Sequence, residues 1–393
     1  METENRAMRA AVLADFGASE TVSAELLAYN ENVFNHGAIQ FPLQIPLPPE
    51  PHIAAWQAYA ADAERVGVFA ALAARLAQLN FPIRAGISET DAYQAATRRG
   101  APIQDLPEAT GLQLQRPQDL ELILHPSLAG AVPVIVADDR RDFVALLQAL
   151  LMRNEPKPVP DALGAMMIAG FNNWDRVRQY RERWQAENPF GDWAAEFQRI
   201  IPQRDLYQDR FILLSRGPYS AVTAADLGLD AGEWRRLSLT IRLEHECTHL
   251  FTRRVLGAMR NNLLDELIAD YRGLVAATGH YRADWFLRFV GLEAFSQFRA
   301  GGRLQNYRGE PALSDAAFAV LGALVVAAAE NVAQFDHARA VELRGERAQA
   351  LFVVALTWLT LEELASSRAQ PILQETWDRV RRLNGNGSIE IVS

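Results

Sequence analysis

The chain has 393 residues, 49% apolar and 22% charged, which is ordinary for a globular protein and long enough for two domains or one large elaborated one. Thirty-nine basic residues against 48 acidic ones give a formal charge of −9, and no Lys/Arg run reverses it, so general nucleic-acid binding is disfavoured. The single cysteine, Cys247, excludes an intramolecular disulfide and a thiolate zinc cluster.

The start, "METENRAMRAAVLADFG", is charged and lacks an apolar core, so it does not read as a secretory signal. Residues 1–40 read as weakly patterned helix. Residues 41–52, "FPLQIPLPPEPH", carry five prolines and must be extended. An alanine-rich helix is predicted over 53–79. "GLQLQ" (111–115), "LELILHP" (120–126) and "AVPVIVADD" (131–139) read as short β-segments bounded by Gly, Pro or Asp. "RRDFVALLQALLMR" (140–153) reads as a helix. Residues 1–153 are therefore expected to form a mixed α/β region, and "NEPKPVPDALG" (154–164) a linker.

Residues 165–393 read as mainly helical. Asn173 is placed to cap a helix from Trp174, with "GFNNWDR" (170–176) supplying an aromatic anchor, and 209–215, "DRFILLS", reads as the one strand of this half. From Asp230 to about 384 the pattern is helical, with breaks near Gly257, Gly279, Gly301–Gly302 and Gln370–Pro371. The longest apolar run, 316–329, is too short to span a bilayer and reads as a buried helix, so no membrane partner and a cytoplasmic location are expected. The fold class expected is α+β, mostly helical.

The stretch that carries chemistry is "RLEHECTHLFTRRVLGAMRNNLLDELIADYRG", residues 242–273. Asp230 with Glu233 three residues on is a capping-box-like start, and Gly257 sits where a helix stops. His245 and His249 then lie at i and i+4 of one helix, on one face, and can turn to the same ion. Glu246 is one residue round, within reach of a water but poorly placed to ligate. Asn262 is placed to cap the next helix, which sets Glu266 and Asp270 on one face. Glu266 would complete two histidines and a carboxylate, Asp270 would accept the N–H of a ligand histidine, and Gly273 would let the helices approach. A plain polar stripe on a surface helix is the alternative. Leu243, Leu250, Phe251 and Val255 flank the histidines and argue that this helix is buried, where unpaired histidines would be costly.

"HECTH" followed by "ELIADYRG" resembles the gluzincin metallopeptidases, whose thermolysin-like members carry H-E-x-x-H and then E-x-x-x-D-x-x-G. The resemblance covers about 30 residues and implies a zincin-like domain holding Zn2+ through His245, His249 and Glu266, with Glu246 as base and Asp270 behind a ligand. The 16 residues between His249 and Glu266 are fewer than that pattern has, so Asp265 and Asp270 remain open as ligands. Gluzincins also place an edge strand upstream for an extended substrate, which here would be "RFILLS" (210–215).

A donor for the developing oxyanion is also required. His280 and Tyr281 come first because "GHY" follows the third-ligand helix; Tyr271, Tyr307 and His337 are further candidates. Cys247 reads as a core thiol, and His36, His52 and His125 have no partner spacing. The expected function is a zinc-dependent hydrolase of metallopeptidase type acting on a peptide or small amide. The alternatives are a zinc hydrolase or lyase acting on a small molecule, and a degenerate fold used as a binding module.

Overall fold

The structure, a computed structural model, describes residues 2–104, 106–257 and 262–385. It divides into two compact units, Pro49–Gly217 and a second formed by Met1–Pro48 together with Pro218–Ser393.

The unit Pro49–Gly217 holds a four-stranded sheet. Its strands are β1 (Glu121–Ser127), β2 (Gly130–Ala137), β3 (Ala165–Asn172) and β4 (Gln208–Ser215), in the order β1-β2-β4-β3. β1 and β2 form an antiparallel hairpin, β2 runs parallel to β4, and β3 pairs antiparallel with β4. Val134, Ile135, Phe211, Ile212 and Leu213 are fully buried, as befits continuous apolar runs in the two central strands. Trp56, Leu72, Phe143, Leu146 and Leu147, from the helices Ile53–Val66, Val68–Ala73 and Arg140–Leu150, complete this core.

Five expectations are corrected here. The boundary does not fall at 154–164: that segment leads into β3, a member of the same sheet. The region 1–153 is therefore no unit, and its first 48 residues belong with the helical remainder. The helix over 53–79 is two helices meeting at Gly67, and 111–115 is not a strand. β4 is no edge strand, since β2 and β3 occupy both its sides, so "RFILLS" cannot receive an added substrate strand. β3 escaped the sequence reading because "AMMIAGFN" has few branched residues and no alternation; its partner β4 makes it a strand.

The other unit is helical. Its long elements are Glu2–Asp15, Glu20–Tyr29, Ala231–Leu256 (the motif helix), Leu263–Thr278 (the ligand helix), Ala283–Val290, Asp315–Ala338, Glu346–Thr357 and Ala369–Leu383. Asp315–Ala338 is long and apolar enough to cross a membrane by composition, yet Phe318, Leu321, Val325, Ala329 and Val332 are buried within this unit. Pro371 lies in the first turn of the last helix, where a missing N–H costs nothing, so the break falls before residue 369 instead of at 370–371. The expectation of an α+β, mostly helical chain holds.

Candidate metal centre

The centre is built on two adjacent helices. Asp230 caps the motif helix by accepting the N–H of Glu233 at 2.8 Å, and Gly257 closes it in the left-handed region at φ 67°. Asn262 caps the ligand helix by accepting the N–H of Asp265 at 3.3 Å. Residues 258–261 between them lie outside the described residues. Gly273 faces the motif helix so closely that a Cβ there would sit 2.7 Å from the Ile241 carbonyl oxygen. Only glycine permits that approach, which brings the faces carrying His245, His249, Glu266 and Asp270 together.

His245 and His249 stand with their rings perpendicular and their Nε2 atoms 3.1 Å apart. Glu266 Oε2 lies 3.6 Å from His245 Nε2, and Glu266 Oε1 lies 3.5 Å from His249 Nε2. All three residues are buried. Two imidazole acceptors at that separation repel unless a cation or a proton lies between them. A tetrahedral zinc with Zn–N and Zn–O bonds of about 2.0–2.2 Å sets its ligand atoms about 3.3–3.5 Å apart. The separations of 3.1–3.6 Å lie near those dimensions, with one Glu266 oxygen turned to each histidine, so the three side chains could hold such an ion after small side-chain shifts.

The atoms behind the triangle fix its orientation. Asp270 Oδ1 lies 2.8 Å from His245 Nδ1; an ionised Asp270 accepts the Nδ1–H and leaves the Nε2 lone pair facing inward. Tyr219 donates its hydroxyl to the same Asp270 oxygen, and Arg303 donates to Tyr219 at 2.8 Å and to the other Asp270 oxygen. Burial works against the Asp270 carboxylate's charge, but Arg303 and His245 hold its pKa below the ordinary value. Burial pushes the Tyr219 hydroxyl well up, so it stays a donor. Asp265 stands on the other side of His249, 3.5 Å from Nδ1, and not on the Nε2 side that faces Glu266. Burial depresses the His249 pKa, but Asp265 and Glu266 more than offset it and raise it well above the ordinary value.

Charge supports the same fit. Asp265, Glu266 and Asp270 are all buried, and Arg303 is the one guanidinium within ion-pair distance of them among the described residues. Three carboxylates against one guanidinium leave an excess of two negative charges. A dication, or protons taken up by the histidines, relieves it.

Glu246 is half-buried and makes no hydrogen bond or ion pair among the described residues, so its carboxylate is uncommitted. The donors expected from "GHY" are not assembled here. His280 is exposed, and Tyr281 packs against Tyr271 and Phe286 while its amide donates to Asp336; neither is bonded to the three-residue group. Tyr271 also bonds Asp336, and His337 is exposed near a helix end. Of the earlier candidates only Tyr307 comes near the centre: burial first, and then the Glu266 carboxylate near it, push its hydroxyl's pKa up.

Tyr219 and Arg303 were not legible beforehand. Tyr219 opens a short 3-10 turn, seated on the motif helix by its amide on Ser238 Oγ at 3.0 Å. Ser220 and Ala221 follow at φ 52° and 55°, a costly region for residues with a Cβ. Arg303 is delivered by Gly302, which packs on Gly291 so tightly that a Cβ would meet the Gly291 Cα at 2.5 Å. The glycine pair marked a helix break in the sequence, but nothing there pointed Arg303 at Asp270.

The chain is thus an α+β, mainly helical protein with a buried His–His–Glu group able to hold a metal ion. It belongs to the family of unknown function DUF7005, whose family model matches residues 11–368. No curated protein and no solved structure matches it.

Proposed function

We propose that the protein is a zinc-dependent hydrolase that cleaves an amide bond in the manner of a metallopeptidase. The observation that carries the reading is the buried group of His245, His249 and Glu266, with ligand atoms within 4.8 Å of one another, on the same helix as the half-buried Glu246, the neighbour of His245 in the chain. A bound zinc would supply a Lewis acid that acidifies water and polarises a carbonyl.

The chain's own residues do the rest. Glu246 leaves the helix about 100° round from His245, which suits a base that takes a proton from water and returns it to the leaving nitrogen. Asp270 fixes the tautomer of His245, and Arg303 keeps Asp270 ionised. Tyr307, kept protonated because burial pushes its hydroxyl up, is the donor we assign to the substrate oxygen.

Glu246→Gln tests the reading. It keeps shape and hydrogen bonding but removes basicity. Zinc content and fold should be retained, while turnover on peptide libraries and small amides should fall by about 10²-fold or more. Loss of zinc in the variant would make Glu246 structural; an unchanged rate on a genuine substrate would place the chemistry elsewhere.

A small-molecule substrate is the second reading, favoured by the interior position of β4, which removes the strand-addition site expected for a peptide. A binding module is the outcome if the wild type turns over nothing and both proteins hold the same partner equally.

A further inference from the structure

We propose that Asp265 is the positioning residue of His249, accepting its Nδ1–H so that both ligand histidines are backed by carboxylates. This rests on the metal reading above. Asp265 is 1% exposed, and neither of its carboxylate oxygens has a hydrogen-bond partner among the described residues. His249 Nδ1 is likewise buried without one, and the two face each other at 3.5 Å. A carboxylate and a ring N–H shut away together are costly apart, and a few tenths of an ångström joins them. The backbone amide of Asp265 is held by the Asn262 cap, so the side chain starts from a fixed turn.

The two backing carboxylates differ. Asp270 shares its charge with Tyr219 and Arg303, whereas among the described residues Asp265 has no cation within ion-pair distance but the His249 ring. Asp265 therefore makes His249 the more electron-rich donor of the pair. Because it stands behind Nδ1, it is not itself a ligand of an ion held by Nε2 and Glu266.

Asp265→Asn and Asp265→Ala separate these roles. Zinc affinity is read by chelator competition, ring N–H protons by proton NMR, and coordination number by the optical spectrum of the cobalt-loaded protein. The zinc-loaded wild type should show two slowly exchanging imidazole N–H resonances. Asp265→Asn should lower zinc affinity about 10–100-fold. Asp265→Ala should lose the His249 resonance, with the cobalt coordination number unchanged. A single ring resonance in the wild type, or zinc binding by Asp265→Asn within about twofold of wild type, overturns the proposal against the size expected of such a contact. A changed coordination number in Asp265→Ala would make Asp265 a ligand and overturn it equally. Failure of the metal reading looks different: neither the wild type nor His245→Ala would bind zinc at all.

Discussion

At the scale of single residues, Tyr219 carries more of the centre than its neighbours in sequence suggest. Its hydroxyl donates to Asp270, accepts from Arg303 and lies 3.0 Å from His245 Nδ1. Tyr219→Phe removes this hub without opening a cavity and leaves Arg303 and Asp270 each short of one partner. The expected loss is about 1–3 kcal/mol of stability, the cost of unsatisfied buried polar groups. Urea denaturation of the wild type and the variant measures it. Coincident curves would mean that water satisfies Arg303 and Asp270 instead, and that the centre is wetter than its burial implies.

At the scale of elements, the motif and ligand helices bring the metal group together, and Gly273 sets their separation. Two effects oppose each other in Gly273→Ala. Alanine favours a helix over glycine by about 1 kcal/mol. Against this, its Cβ would sit 2.7 Å from the Ile241 carbonyl oxygen, a backbone atom that moves only if a helix does. Overpacking of this kind typically costs about 1–3 kcal/mol. The clash should win, giving a less stable protein that also binds zinc more weakly because Glu266 and Asp270 ride on the displaced helix. A melting temperature raised above wild type would show that the helices part freely.

At the scale of the whole molecule, the excess of buried negative charge would make the stability of the helical unit depend on a cation bound there, if the proposed metal reading holds. A ligand present at about 100 times its dissociation constant stabilises by about 2.7 kcal/mol. Protein prepared without chelators should hold about one zinc per chain, as a single preorganised three-ligand site implies. Its melting temperature should drop on chelation and recover with zinc. Less than about a tenth of an equivalent after zinc is supplied, with no thermal shift, would remove the metalloenzyme reading. The unit Pro49–Gly217 carries none of the three candidate ligands, so its core should not respond to zinc directly.

What the sequence determined by itself is local. The caps at Asp230 and Asn262, the stop at Gly257 and the i, i+4 placement of His245 and His249 follow from spacing along one helix, where 3.6 residues per turn fixes which side chains share a face. The closeness required at Gly273 was legible for the same reason, since a glycine amid a helical pattern signals a near neighbour. Tertiary structure alone decided the rest. β3 is a strand because β4 lies beside it, and β4 is central because β2 and β3 flank it; pairing leaves no imprint on either segment alone. Likewise the 16-residue gap after His249 could not say which of Asp265, Glu266 and Asp270 faces the histidines. The packed helices put Glu266 at both Nε2 atoms and the two aspartates behind the rings, while Tyr219 and Arg303 arrive from 51 and 33 residues away from Asp270. Contacts at such separations are fixed by how helices pack, and no periodicity in the chain encodes them.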